Sequence, residues 1–414
     1  MSDKTYVHII ALASAGQGMS GGDRIYIELS RQWSKQIPVK LYSTAEGSQM
    51  IASQKLSGRY LNVNILGKNK LPGNFVLKYL YKIYLGIRLG FSLNINHKSS
   101  IINHLLYSSS DFWMDVFPAV ILKIRFQKLK WIATWYQTAP NPLSGYSEKG
   151  SGNSQFYRKE KYTLSALLYW LSQLPVKPLI NKFADFVIVN NEDERKRFPE
   201  MDKKGKVIVL IGAVRLDEIN MYKKTLLRTR LRKGEEIYDA VFQGRFHPQK
   251  GVVELVDIWR KVVDRIPKAK LAMIGDGPLM KDVRIKIQDL RLEKNVELFG
   301  YVFDGPEKYK IFSQSKIVVH PAFYDSGGMA SAEAMAFGLP CIGFDLKSYE
   351  SYYPKGMVKV EFGDIDKFSG AILKLLNNCL YYKKVSNDAI KLINNNWSWE
   401  SRSGEVLNMI FREK

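Results

Sequence analysis

Short runs rich in β-branched residues alternate with longer amphipathic stretches along the first 210 residues. The short runs include TYVHIIALA, VKLYST, SSIINHLLYS and KWIATWY, and the first of the longer stretches is GGDRIYIELSRQWSKQ. Alternation of this kind predicts βαβ units arranged around a parallel sheet.

The same alternation starts again at Tyr238, with DAVFQGRF, GVVELVDIWRKVVDRIP, AKLAMIGDG and further segments. A chain of 414 residues exceeds what one hydrophobic core fills, so two domains are expected. The polar, basic stretch near residues 212–236 separates them, and we place the domains at 1–211 and 212–395. Open parallel sheets bind ligands beyond the carboxyl ends of their strands. Functional residues are therefore expected in loops that follow strands and face a cleft between the domains.

The composition is that of an ordinary globular protein, with 46% hydrophobic and 25% charged residues. Two cysteines, Cys341 and Cys379, are too few for a disulfide framework and predict a reducing, cytoplasmic compartment. The amino terminus lacks the pattern of a signal peptide and is expected to form the first strand. The longest apolar stretch, Thr163 to Val176, is too short to span a bilayer.

The formal charge of +22 is unevenly distributed. Residues 1–210 contain 29 Lys and Arg against 14 Asp and Glu, a net charge of +15. Such a field favours an anionic partner near the N-terminal half. Nucleic acid, an anionic membrane surface and a phosphorylated small substrate all satisfy it.

Two segments of that half combine basic and aromatic residues on stretches with helical spacing. The first, Leu71 to Leu93, places Lys78, Lys82 and Arg88 among leucines and tyrosines, and the second is Tyr157 to Lys177. Each segment can be a helix that packs on the core and exposes a solvated side. Each also suits a membrane interface, and with the charge asymmetry we favour membrane contact for at least one of them.

A strand-to-helix turn carries two cations close together in the second half. Gly244-Arg245-Phe246-His-Pro-Gln-Lys250-Gly251 follows the strand DAVFQ and precedes the helix GVVELVDIWRKV. Arg and Lys five residues apart at such a turn suit a diphosphate, one as a planar fork and the other as a point charge. Two solvated surface cations are the alternative interpretation.

A second motif, HPAFYDSGGMASAEAMAFGLP, runs from His320 to Pro340. Its glycines precede an amphipathic helix, whose first N–H groups, at Met329, Ala330 and Ser331, can bind phosphate. Glu333 lies one turn further, within reach of a ribose diol, and Asp325 precedes the glycines and can reach the sugar. An ordinary surface carboxylate is the alternative for Glu333.

These residues resemble, in order and spacing, the C-terminal domain of the retaining GT-B glycosyltransferases of family 4 (glycosyl transferases group 1), from Tyr238 to about Leu376. The resemblance implies an α/β fold of two Rossmann-like domains facing a central cleft, with a last helix, 396–414, that crosses back to the first domain. It implies catalytic roles for Arg245, Lys250 and Asp325 around a UDP- or GDP-linked sugar. Asp325 stands where the family has a Glu, which affects how sugar hydroxyls are recognised. The implied donor-binding residues are Gly22, Gly244, Tyr301, Gly328, Met329, Ala330 and Glu333.

The N-terminal half resembles the family more weakly, through the turn Gly21-Gly22-Asp23-Arg24, expected to close over the donor phosphates. The strand KWIATWYQTAP offers Tyr136 where the family often has a His, and His104 stands at the end of IINH. We assign His104, Asp111 and Tyr136 to the acceptor side and name no general base. In Asp364-Ile365-Asp366 we interpret Asp366 as a helix N-cap rather than a metal ligand. No metal or other cofactor is expected.

The sequence therefore predicts transfer of a sugar, with retention, to a glycan or lipid-linked acceptor in cell-surface polysaccharide or glycoconjugate synthesis. The enzyme is expected to be peripheral at the inner face of an anionic membrane. An inactive donor-binding scaffold and a GT-B-fold epimerase remain alternatives. A nucleic-acid binder is disfavoured because the chain has no nucleic-acid-binding module.

Overall fold

The computed structural model describes residues 5–15, 19–67, 71–95, 104–139, 142, 164–228, 237–325 and 327–411. Contacts between residues divide the chain into two compact units. Unit 1 holds the described residues up to Leu210 together with those from Arg402 onward, and unit 2 runs from Ile211 to Ser401. The first part of the basic, aromatic segment at Tyr157 to Lys177 lies outside the described residues.

Unit 1 is built on a parallel sheet of seven strands in the order β3-β2-β1-β4-β5-β6-β7. The strands are β1 (Tyr6–Ala11), β2 (Val39–Thr44), β3 (Leu61–Leu66), β4 (His104–Ser108), β5 (Lys130–Trp135), β6 (Phe186–Val189) and β7 (Val207–Val209). The helices are α1 (Gly21–Trp33), α2 (Ala45–Ser53), α3 (Phe75–Ser92), α4 (Trp113–Arg125), α5 (Leu164–Phe183), α6 (Glu192–Arg195) and α7 (Pro199–Asp202). The strands at the centre of the sheet are almost entirely buried and mostly apolar, as expected for a parallel sheet covered on both faces.

Unit 2 has a parallel sheet of six strands in the order β10-β9-β8-β11-β12-β13. The strands are β8 (Tyr238–Gln243), β9 (Leu271–Ile274), β10 (Val296–Gly300), β11 (Ser315–His320), β12 (Cys341–Phe344) and β13 (Met357–Val360). The helices are α8 (Leu216–Arg228), α9 (Val252–Val263), α10 (Met280–Asp289), α11 (Pro306–Ser313), α12 (Met329–Met335), α13 (Ser348–Tyr352), α14 (Ile365–Asn377) and α15 (Cys379–Asn396). The predicted class, α/β with two Rossmann-like domains, is confirmed.

The last helix, α16 (Trp399–Phe411), belongs to unit 1 from Arg402 onward. The indole of Trp33 in α1 donates to the Ser403 carbonyl at 3.1 Å, and the Lys130 ammonium in β5 donates to the Ile410 carbonyl at 2.8 Å. The end of the chain is thus part of the N-terminal unit.

Two local expectations are wrong. The N-cap of α14 is Asp364, whose carboxylate accepts the Lys367 N–H at 2.8 Å, because the helix begins at Ile365. Gly21 and Gly22 are the first residues of α1, which Ser20 and Asp23 cap reciprocally, and they are not part of a separate turn.

Cys341 is buried, Cys379 is exposed, and both are free thiols. No helix among the described residues combines the length and the apolar character that a membrane crossing needs.

Candidate functional site

The site of unit 2 lies where the strand order reverses. In the sheet, β9 and β10 lie on one side of β8, and β11 lies on the other side. Open α/β sheets leave a crevice at the carboxyl ends of the strands at such a switch point. The two sequence motifs follow β8 and β11, so the fold brings them together at this crevice.

The turn after β8 directs Lys250 toward the loop after β11. Pro248–Lys250 form a short 3-10 turn, and Gly251 caps α9 with a left-handed backbone at φ +62°. A Cβ atom at Gly251 would lie 2.0 Å from the Pro321 carbonyl oxygen, so only glycine fits. The Gln249 carbonyl accepts the Phe323 N–H at 2.9 Å. The backbones of the two loops are therefore in direct contact.

The turn after β9 packs against the turn after β8. A Cβ atom at Gly275, where φ is +144°, would lie 1.8 Å from the Gly244 carbonyl oxygen. The Phe246 N–H donates to the Asp276 carbonyl at 2.9 Å. Backbone contacts from both neighbouring turns thus fix the segment that carries Arg245, an exposed residue.

Asp325 is the centre of a buried polar cluster. One carboxylate oxygen accepts from the Lys250 Nζ at 2.7 Å, from the His320 Nε2 at 2.6 Å and from the Tyr349 hydroxyl at 3.2 Å. The other accepts the N–H groups of Gly327 at 3.1 Å and Gly328 at 2.9 Å. The carboxylate therefore joins the cation of the first motif to the glycines of the second.

The electrostatics of the cluster follow from burial and charge. Burial opposes ionisation of Asp325, but the Lys250 charge and the His320 hydrogen bond outweigh it and hold the pKa well below its ordinary value. Burial lowers the pKa of His320, although Asp325 acts in the opposite direction. Burial, followed by the charges of Arg245 and Lys250, lowers the pKa of His247 to about 4. His247 is therefore neutral near pH 7, and the positive charges of the turn after β8 are those of Arg245 and Lys250.

The glycine turn leads into α12. Gly328 adopts a left-handed backbone at φ +60°, and its carbonyl accepts the Tyr353 hydroxyl at 2.6 Å and the Ser331 N–H at 2.9 Å. The expectation that the Ser331 N–H binds phosphate is therefore wrong, because it closes the first turn of the helix. The N–H groups of Met329 and Ala330 belong to that turn and have no partner within the helix.

Glu333 is held by groups that the sequence analysis did not identify. Its Oε2 accepts from the Lys308 Nζ at 2.5 Å and from the Gln243 amide at 3.1 Å. Lys308 is fully buried and also pairs with Asp304. Lys308 comes from α11 and Gln243 from the end of β8, so no local motif connects them with Glu333. Glu333 is a fixed, buried carboxylate and not an ordinary surface residue.

Tyr301 follows β10, at the carboxyl edge of the same sheet. It is 44% exposed, and its ring meets that of Phe303 edge to face at 4.9 Å between centroids. The predicted donor residues of unit 2 thus all follow the carboxyl ends of β8, β10 and β11.

In unit 1, Gly22, Asp111 and Tyr136 follow the carboxyl ends of strands, whereas His104 lies at the opposite edge of the sheet. A Cβ atom at Gly22 would lie 3.0 Å from the Tyr136 ring, and the Tyr136 hydroxyl is 2.7 Å from that of Tyr107. Asp111 follows the neighbouring strand β4, and burial raises its pKa to about 6. His104 begins β4 rather than ending a strand, so it lies at the opposite edge of the sheet, stacked on Tyr6. The expectation that His104 ends a strand is wrong.

Asp111 is held by α5 as well. Its carboxylate accepts from the Gln173 amide at 2.5 Å and from the Tyr169 hydroxyl at 3.1 Å. Both donors come from a helix far along the chain, so the sequence analysis did not find them.

Within the described residues, no group of three or more His, Cys, Asp or Glu side chains is placed to hold a metal ion.

The fold is that of the GT-B glycosyltransferases. The HepE protein of Anabaena, crystallised with UDP and glucose, superposes with a TM-score of 0.69 over 98% of this chain and 99% of its own, at 12% identity. At that identity the likeness shows the fold alone.

Residues 223–392 match the family described as glycosyl transferases group 1. The chain carries a group 1 glycosyltransferase domain. Among curated relatives, it is 29% identical to a poly(glycerol-phosphate) alpha-glucosyltransferase of Bacillus subtilis over 38% of this chain and 23% of that one. It is 27% identical to an Escherichia coli UDP-Gal:alpha-D-GlcNAc-diphosphoundecaprenol alpha-1,3-galactosyltransferase over 36% and 40% of the two chains. The chain thus matches less than half the length of each relative.

Proposed function

We propose that the protein transfers a sugar, with retention of configuration, from a UDP- or GDP-linked donor to a glycan or lipid-linked acceptor in cell-surface polymer synthesis. The observation that carries the proposal is the contact of Lys250, five residues after Arg245, with Asp325, which precedes the glycine turn and α12 at the switch point of unit 2. Two cations and a helix N-terminus suit a diphosphate. We assign the ribose diol of the donor to Glu333, a carboxylate of α12 that Lys308 and Gln243 hold in place.

In this reaction the bond between the sugar C1 and the diphosphate oxygen breaks as the acceptor oxygen bonds to C1 from the same face. The acceptor proton passes to the departing phosphate oxygen, so no protein base is required. Arg245 and Lys250 stabilise the charge that develops on the diphosphate, and preorganised donors of this kind contribute ~2.7–4 kcal/mol each. We propose that no metal ion or other cofactor takes part.

The acceptor proposal is supported by charge and by the relatives. Residues 1–210 carry a net charge of +15, and the two relatives are named for acceptors with phosphate groups. Both names also specify α linkages. We assign Asp111 and Tyr136 to the acceptor side, at the carboxyl edge of unit 1. His104 stays a weaker candidate, because it lies at the other edge. We further propose a cytoplasmic enzyme at an anionic membrane surface that does not act on nucleic acid.

The test measures nucleotide release from UDP- and GDP-sugars in the presence of acceptor lipid, for wild type, Arg245→Ala, Lys250→Ala and the control Lys281→Ala. Lys281 is an exposed cation on α10, outside the site. We expect each site variant to lose on the order of a hundredfold in turnover, the worth of one such donor, and the control to keep its rate. Near-normal rates in both site variants would sink the assignment.

The same assay separates the alternatives. An inactive scaffold would bind a nucleotide-sugar, seen as a rise in melting temperature, but would release no nucleotide with any acceptor. An epimerase would convert one nucleotide-sugar to another without an acceptor, which chromatography of the donor would reveal.

A further inference from the structure

Helix α3 exposes an apolar stripe to solvent. Leu77, Leu80, Tyr84 and Phe91 are 58%, 54%, 55% and 64% exposed, and Phe75 and Val76 are exposed at the start of the helix. Positions 77, 80, 84, 88 and 91 follow each other at intervals of three or four residues, so they share one face of the helix. The stripe contains a single charged residue, Arg88. A helix face in contact with water is normally polar.

The opposite face of α3 is packed against the protein. Ile83, Leu85 and Leu89 are buried in the core of unit 1. Gly86 and Gly90 permit close contact with α4, since a Cβ atom at Gly86 would lie 2.5 Å from the Met114 carbonyl oxygen. The helix is therefore apolar on both sides and is firmly held, so it presents its outer stripe in a fixed orientation.

A second set of exposed leucines lies on a helix of the same layer. In α5, Leu168, Leu171 and Leu174 recur every third residue and are exposed. Helix α4 packs against both α3 and α5. Apolar exposure is thus a property of this helical layer and not of one isolated side chain.

The charge around α3 selects the partner. Between Glu46 and Asp111 the sequence contains eight Lys and Arg and no Asp or Glu. Such a region attracts an anionic surface. A second copy of the chain would instead bring two basic regions together, so self-association through this face is disfavoured.

The structure also shows which basic residues of α3 are available for contact with an anionic surface. Lys78 and Lys82 both pair with Glu46, at 2.6 Å and 3.2 Å, and Lys82 is buried and donates to the Ser14 carbonyl at 3.0 Å. Of the three cations that the sequence analysis selected, only Arg88 is exposed on the stripe. Insertion of apolar side chains, rather than lysine contacts, must therefore supply most of the binding.

We propose that the stripe of Leu77, Leu80, Tyr84, Arg88 and Phe91 docks the protein on an anionic bilayer, with α3 in the plane of the interface. This inference rests on the proposed function, because a lipid-linked acceptor lies in such a bilayer. The apolar residues enter the boundary between headgroups and acyl chains, and Arg88 meets the anionic headgroups.

The experiment is flotation of the full-length protein with phosphatidylcholine vesicles, with and without phosphatidylglycerol, at low and high salt. The variants are Leu80→Glu and Tyr84→Glu, and the matched control is Leu380→Glu, a leucine of unit 2 that is 81% exposed. We expect wild type to float with the anionic vesicles and to keep much of its binding at high salt. Each stripe variant should lose about tenfold in partitioning, the worth of one inserted side chain, and the control should behave as wild type.

Several outcomes would overturn the docking surface. The first is flotation of both stripe variants at wild-type levels. The second is that wild type floats with neither kind of vesicle, and the third is complete loss of wild-type binding at high salt. A change of oligomeric state in Leu80→Glu, measured by light scattering, would assign the stripe to a protein interface instead. Nucleotide binding, measured by melting temperature in the same variants, keeps the two proposals apart. Lys250→Ala should lose turnover and still float, whereas Leu80→Glu should bind nucleotide normally and fail to float.

Discussion

Replacement of Asp325 by Asn would show whether this carboxylate positions the site or contacts the sugar. The side chain is 6% exposed and accepts five hydrogen bonds, three of them from Lys250, His320 and Tyr349. An amide oxygen can keep the two bonds from the glycine turn. The amide nitrogen would then face the Lys250 ammonium and His320, where a donor meets donors and the charge pair is lost.

The expected loss of folding stability in Asp325→Asn follows from the burial of the ion pair with Lys250. Removal of one partner of a buried ion pair costs ~3–5 kcal/mol, but Lys250 retains 22% exposure and can be partly hydrated. We therefore expect about 2 kcal/mol, or a fall of ~4–8 °C in the melting temperature of a unit of this size. Because the pKa of Asp325 is lowered in the folded state, its contribution is fully present above the ordinary carboxyl pKa of ~3.9 and is lost progressively as the pH falls from there through the lower folded pKa.

Calorimetry of wild type and Asp325→Asn at neutral pH and near pH ~3 checks this difference. If Asp325 acts by positioning Lys250, loss of stability should accompany a weaker nucleotide-dependent rise in melting temperature, and kcat should fall toward that of Lys250→Ala. A variant as stable as wild type, with normal nucleotide binding and a large fall in kcat, would refute this reasoning. It would instead support the sequence-based expectation that Asp325 contacts the sugar.

Two further predictions concern the backbone and a buried acid. Gly251→Ala should lose at least ~3 kcal/mol, from the left-handed backbone and a Cβ atom 2.0 Å from the Pro321 carbonyl. Gly205 has a similar φ of +67° with open space around it, so Gly205→Ala should lose only ~1–2 kcal/mol when both variants are unfolded with denaturant. Burial raises the pKa of Asp115 to about 7, despite hydrogen bonds from Ser110 and Leu12. The folded protein thus holds a proton that the unfolded chain releases, so stability should fall by up to ~4 kcal/mol as the pH rises from ~4 to ~7. Denaturant titrations across this range should show a smaller slope for Asp115→Asn, and an unchanged slope would contradict the assignment.

The fold class and the two motifs of unit 2 were predictable because their signals are local. Alternating strands and helices specify parallel sheets, and the carboxyl ends of parallel strands lie at one edge. Arg245 and Lys250, and likewise the glycine turn and Glu333, lie within a few residues of each other. Their placement after β8 and β11 therefore followed from the order of the elements.

Other positions depended on where an element begins or on distant packing. His104 was expected at the end of a strand, but the structure starts β4 there, and a shift of a few residues moves a side chain from one edge of a sheet to the other. Lys78 and Lys82 looked like membrane-facing cations, yet both turn toward Glu46, which lies on α2. Helical spacing alone does not distinguish the buried side of α3 from its exposed side when both are apolar.

The sequence by itself determined the two-part organisation, the parallel sheets and which residues make up the two motifs of unit 2, because chain length, periodicity and short motifs carry that information. Only the tertiary structure decided what holds those residues. Tyr349 reaches Asp325 from a separate segment, and so do Lys308 and Gln243 in the case of Glu333. An ion pair between distant segments leaves no periodic trace in the chain. The apolar stripe of α3 likewise emerged only when packing against α4 had fixed which face of the helix remained outside.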